Sequence, residues 1–184
     1  MNKFFNSPWT YVYMGSILLV NLIFANTQPI FFPSINAALP VATLIVGLTF
    51  VLRDFTQRSI GKWVLLAMAI AAGLTYLISP GLALASAAAF AISEFADWAM
   101  YTFTKKPFAQ RILLSSLIST PIDSVAFLWL ADFIGHPDIP FPFFTVGSVI
   151  VMTLSKMVAA VILAWALWDD KGIAEPYPDY SAHR

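Results

Sequence analysis

The sequence contains no cysteine. That excludes disulfides, haem thiolates and zinc-thiolate sites, and it leaves the compartment open, because a chain with many spans needs no disulfide. Charge is scarce too: 11% of the 184 residues are charged, and ten basic side chains balance ten acidic ones. A net charge of zero excludes the basic excess that nucleic-acid binders carry, so no direct nucleic-acid partner is expected. There are only two histidines. What fills the chain instead is apolar: 59% of residues are hydrophobic and the mean hydropathy is +0.78, well beyond the balance of a soluble domain. This composition is that of a membrane protein. Six Trp, six Tyr and sixteen Phe exceed the needs of a small soluble core, and many lie near the ends of apolar runs, where amphipathic rings favour the bilayer interface. The segment MNKFFNSPW has one Lys, and no small-residue cleavage site follows the first apolar run. That run is expected to stay as a span and not to leave as a signal peptide.

A helix needs about 20 mostly apolar residues to cross the hydrocarbon layer. Cutting the chain at charges and prolines gives six spans: about Trp9 to Ala25, Asn36 to Leu52, Trp63 to Ile78, Leu82 to Phe103, Ile112 to Ile134 and Phe144 to Trp168. Lys and Arg fall in alternate connections only. Lys3 precedes the first span; Arg53, Arg58 and Lys62 follow the second; Lys105, Lys106 and Arg111 follow the fourth; Lys171 and Arg184 follow the sixth. By the positive-inside rule this predicts an all-α polytopic protein of six transmembrane helices with both termini in the cytoplasm. Residues 1–168 form one domain, and 169–184, polar and rich in proline, form a cytoplasmic tail. No internal repeat is evident, which argues against an inverted-repeat transporter fold. The small-residue runs ALASAAAFA and MAIAAG suit close packing between helices of the same chain.

Four ionisable residues remain at membrane depth, with Asp132 counted with the connection after the fifth span: Glu94 and Asp97 in the fourth, Asp123 in the fifth and Lys156 in the sixth. Each costs about 2.5 to 3.5 kcal/mol at the centre of a helix, so each should face the bundle interior and find a partner or a wet cavity. Glu94 and Asp97 are three residues apart, on one helical face, and Phe90 and Tyr101 extend that stripe a turn each way. Ser116, Ser119 or Thr120, Asp123 and Phe127 make a similar stripe, and Thr153 shares a face with Lys156. Three carboxylates against one ammonium leave an excess of acceptors. A ligand rich in N–H donors fits that excess. The N1–H and 2-amino group of a guanine ring, for example, present two parallel donors to a carboxylate, and Phe90, Trp98, Tyr101 and Phe127 could face the flat ring. The plainer reading is a buried salt bridge from Lys156 to Asp123 or Glu94 that fixes helix register.

At these residues a resemblance enters. ASAAAFAISEFADWAMYTFTKK, followed by LLSSLISTPIDSVAFLWLA, resembles the vitamin uptake transporter family, also called the queuosine precursor transporter family. Its pattern A-S-x-x-A-F-x-x-S-E/Q-x-x-D falls on Ala85, Ser86, Ala89, Phe90, Ser93, Glu94 and Asp97, and S-S/T-x-x-S-x-x-x-D-S/T falls on Ser115, Ser116, Ser119, Asp123 and Ser124. FAN at 24–26 and Asp54 with Gly61 and Lys62 also resemble the family's first span and first cytoplasmic loop. Arg58 departs from the pattern, since many members carry an acid there. The resemblance implies uptake of 7-cyano-7-deazaguanine or a related 7-deazapurine through the cytoplasmic membrane, with no redox cofactor or metal. The substrate-binding set expected from stripe and resemblance together is Glu94, Asp97, Asp123 and Lys156, with Phe90, Ser93, Tyr101 and Ser119 around them.

Besides substrate and lipid bilayer, two partner arrangements stay open: a homo-oligomer, or a separate ATP-driven module for which this chain would be the substrate-binding subunit. The chain itself has no G-x-x-x-x-G-K-[ST] loop to hydrolyse ATP. An enzyme is not expected. His136 and His183 fall in a loop and the tail, no histidine lies in a span, and no G-x-S-x-G context surrounds a serine, so nucleophilic catalysis lacks an evident base.

Overall fold

The computed structural model describes residues 2–78, 80–103, 108–134 and 144–166. The expected tail and the connections holding Lys105, Lys106, His136 and Asp138 lie outside them. A single turn, α1 (Asn2–Asn6), leads into α2 (Pro8–Asn26). Pro8 opens α2 where its fixed φ suits a helix and its missing N–H has no intrahelical partner to lose. At the other end Asn26 Nδ2 donates to the Leu22 carbonyl and Thr27 Oγ1 to that of Ile23, each at 2.7 Å, so two of the last carbonyls are satisfied by side chains. A short antiparallel hairpin follows, β1 (Ile30–Phe32) paired with β2 (Ala37–Leu39) in the register Phe31 to Ala38. The rest is helical: α3 (Thr43–Ile60), α4 (Val64–Ile78), α5 (Pro80–Phe103), α6 (Phe108–Ile134) and α7 (Val146–Ala166).

Side-chain contacts fix the relative directions. Ser7 Oγ lies 2.8 Å from Ser59 Oγ, Thr56 Oγ1 donates to the Trp9 carbonyl at 3.0 Å, and Val20 packs with Val46 and Phe50, so α2 and α3 are antiparallel. Tyr13 and Ile17 pack on Val64, Ala67 and Ala71, while Asn21 reaches Thr75, so α4 runs parallel to α2. The chain therefore reverses between α3 and α4, at a turn whose first residue, Gly61, has φ 63° and ψ −136°, a conformation that a Cβ would forbid. Helix α7 runs parallel to α3. Their backbones meet at Gly47, where a Cβ would overlap the Lys156 carbonyl. Helix α6 lies antiparallel to both α5 and α7, joined to them by Ala89 against Phe127 and Phe127 against Met152.

The polarity of the bundle is that of a protein in lipid. On α7 the outward positions are Leu154, Val158, Ile162 and Trp165, and the buried ones include Ser148 and Lys156. Polar side chains such as these turn inward, away from where lipid would lie. Four stretches of the described residues are long and apolar enough to cross a membrane: Pro8–Asn26, Thr43–Leu77, Ala109–Phe133 and Val146–Ala166. The second of these holds both α3 and α4, with the reversal at Gly61.

Two sequence-based expectations need correction. The second span does not begin at Asn36. Asn36 takes a left-handed conformation (φ 46°) in the turn of the hairpin, Ala37–Leu39 are strand, and the helix starts only after Pro40. Nor does its helix stop at Leu52. It continues through Arg53, Asp54 and Arg58 to Ile60. Arg53 and Asp54 are 0% and 1% exposed and form an ion pair at 3.0 Å. Pairing is what lets charges stay buried there, so the first charge does not mark the end of the helix.

Candidate functional site

A cavity lies among α2 to α7, with about 540 Å³ of empty space counting its open mouth. Its polar wall is built by α5, α6 and α7. In α6, Pro121 sits inside the helix and cannot donate to the carbonyl one turn back, which loosens the ladder just before Asp123. Lys156 Nζ donates to Asp123 Oδ2 at 2.6 Å and to Ser124 Oγ at 3.0 Å, and Ser124 Oγ passes its own proton to the Thr120 carbonyl at 2.8 Å. Ser93 Oγ of α5 lies 3.1 Å from both Asp123 Oδ1 and the Phe90 carbonyl, so one proton serves two acceptors. Lys156 is 1% exposed and Asp123 6%. An ammonium has three donors, and two are used among the described residues.

Rings form the flat walls. Phe24 and Phe127 lie 5.2 Å apart at 34°, and Phe90 stacks on Phe50 at 6.2 Å. Phe24, Phe90 and Phe127 all line the cavity, as do Asp123 and Lys156. Across from the charged wall, α2 and α4 contribute Asn21 and Thr75. The hairpin packs on the same side of the bundle as Phe24 and Phe127, through Ala38 and Leu39. It is held to the start of α7 by Ala38 N–H donating to Ser148 Oγ at 2.8 Å and Thr145 Oγ1 donating to the Asn36 carbonyl at 2.6 Å.

Of the residues expected from the sequence, Phe90, Ser93, Asp123 and Lys156 come together here. Ser119 is also buried, but it does not line the cavity, and its Oγ has no hydrogen-bond partner among the described residues. Glu94, Asp97 and Tyr101 belong to α5; their side chains lie outside the description. The bridge that the plainer reading anticipated, Lys156 to Asp123, is present, and both of its members border the cavity. Sequence reasoning passed over Asn21, Thr49 and Thr75, which are buried and line the cavity, because an uncharged polar residue in a span attracts no notice beside a carboxylate. A lone amide in the run ILLVNLIFAN was the available signal. Among the described residues no group of three or more His, Asp or Glu side chains could hold a metal ion.

A largely apolar, ring-walled cavity that holds one ion pair inside an apolar bundle is what a membrane transporter of small molecules needs. The family model for vitamin uptake transporters matches residues 63–168, more than half of the chain, from the turn before α4 through α7. The chain belongs to that family, and with its apolar helices it is a multi-pass membrane protein. Neither the curated proteins nor the solved structures gave a match.

Proposed function

We propose that the chain imports a neutral purine-like heterocycle, 7-cyano-7-deazaguanine or a related 7-deazapurine that serves as a queuosine precursor, across the cytoplasmic membrane. The observation that carries this reading is the cavity's composition. A carboxylate and an ammonium already neutralise each other at 2.6 Å, so the described wall favours an uncharged ligand, and three phenylalanine rings border the space with faces suited to a flat ring. Hydrogen bonds in such a water-poor space offset the cost of stripping water from the ligand's polar edge. In this reading Glu94 and Asp97 accept N–H groups of the ring, while Asp123 and Lys156, steadied by Ser93, set the charge of the site. Phe90 and Tyr101 face the ring, and Ser119, one turn before Asp123, supports that wall. Both termini face the cytoplasm, consistent with Arg58, Lys62 and Arg111 lying near the ends of α3, α4 and α6 that meet at one end of the bundle.

The test is genetic and direct. Cells unable to make deazaguanine should acquire the modified base from supplied precursor only when this chain is present. Glu94→Gln or Asp97→Asn should abolish that uptake while the protein still reaches the membrane. Uptake by both variants at the wild-type rate removes these acids from the site.

A second reading is a substrate-binding subunit that depends on a separate ATP-driven module. One observation favours it: Ala69 and Gly73, one turn apart on α4, are exposed, and no atom lies within 4 Å of a Cβ built at Gly73, which leaves room for another helix to approach closely. Uptake into liposomes containing only the purified chain excludes this dependence.

A further inference from the structure

Asn21 is 6% exposed, lines the cavity and carries an amide whose orientation is fixed by its neighbours. One amide atom faces the Ile17 carbonyl at 2.8 Å and Thr75 Oγ1 at 3.2 Å. A carbonyl only accepts, so that atom is the NH₂ group, and both of its protons are engaged. The other amide atom, Oδ1, is thereby fixed as an acceptor, and among the described residues nothing donates to it. Asn21 borders the cavity, so this oxygen is an acceptor left open to a donor that a ligand brings there. Thr75, 2% exposed on α4, is the side chain that holds the amide in this rotamer across the α2–α4 contact.

We propose that Asn21 is a specificity-determining residue whose Oδ1 accepts a hydrogen bond from an N–H of the transported heterocycle, and that Thr75 is the positioning residue that aims it. This rests on the importer reading above, and it places a neutral acceptor opposite the Asp123 and Lys156 wall, so that the ring is read from two sides. A helix-to-helix clamp alone would need the two N–H bonds and no free acceptor within a cavity. The difference matters because a site built around a hydrogen bond discriminates strongly against an analogue that lacks the matching group.

The experiment measures binding to the purified full-length chain. Its ligands are 7-cyano-7-deazaguanine and analogues methylated singly at each N–H position; its proteins are wild type, Asn21→Leu and Thr75→Val. One methylation should weaken wild-type binding by about tenfold or more. The same methylation should leave Asn21→Leu nearly unaffected, because the acceptor it blocks is already gone. Thr75→Val, which keeps the shape of threonine, should fall between them. Equal penalties for every methylation in wild type and Asn21→Leu overturn the assignment, as does wild-type affinity of Asn21→Leu for the parent compound. If Asn21→Leu does not fold, Thr75→Val decides: a methylation profile identical to wild type overturns the proposal. A wild-type chain that ignores deazapurines but binds hypoxanthine refutes the importer reading only, and the same comparison with N-methylated hypoxanthines then tests Asn21. Binding of no N–H heterocycle overturns both.

Discussion

Replacing Lys156 with methionine separates a structural ion pair from a functional one. Lys156 and Asp123 side chains are 1% and 8% exposed and 2.6 Å apart. At an effective dielectric of about 20 their attraction is on the order of 6 kcal/mol, and removing two ions from water costs several kcal/mol each. The two terms nearly cancel, so the pair as a whole contributes little, whereas a single charge left behind is expensive. Lys156→Met should therefore destabilise the chain by about 3 to 5 kcal/mol. The double change Lys156→Met with Asp123→Leu should return to within about 2 kcal/mol of wild type. Unfolding in detergent micelles, followed by tryptophan fluorescence, reads both values as a double-mutant cycle, and precursor uptake is measured in parallel. A stable double variant that no longer takes up precursor places the pair in the site. A double variant with wild-type uptake makes the pair a register-fixing bridge only. If Lys156→Met alone unfolds like wild type, the premise of an uncompensated buried carboxylate fails.

Two further substitutions probe the frame that holds the site. Gly47→Ala should push α7 away from α3, because the added Cβ overlaps the Lys156 carbonyl; a loss of about 1 to 3 kcal/mol and weaker precursor binding are expected, and unchanged unfolding would contradict the close backbone contact. Ser148→Ala leaves the buried N–H of Ala38 without its acceptor and should cost about 1 to 3 kcal/mol, with faster hydrogen exchange at the Ala38 amide than in wild type.

The helices were legible because lipid demands long apolar runs. The hairpin was not. Its residues Ile30–Phe32 and Ala37–Leu39 are as apolar as a span, and only the left-handed Asn36 and the flanking prolines break the helix there. Arg53 and Asp54 misled in the opposite sense, since a charge need not end a helix when it is paired, and these two form an ion pair within α3. The convergence of Asp123, Lys156, Ser93 and Phe90 could be anticipated from helical spacing, because each faces the interior on its own helix. Which of them touch could not, because partners on different helices depend on helix order and direction. Asn21 escaped notice for an energetic reason: a neutral amide is far cheaper to bury than an ion, so its presence in a span reads as ordinary until the orientation of its oxygen is known.

Calorimetric titration of the purified chain with 7-cyano-7-deazaguanine tests the central claim, that the cavity between α2 and α7 receives a purine-like heterocycle. Saturable binding of one ligand per chain is expected for wild type, with loss of binding in the Lys156→Met, Asp123→Leu double variant despite its near-native stability. No measurable binding to a folded wild-type chain, or equal affinity in the double variant, would contradict it.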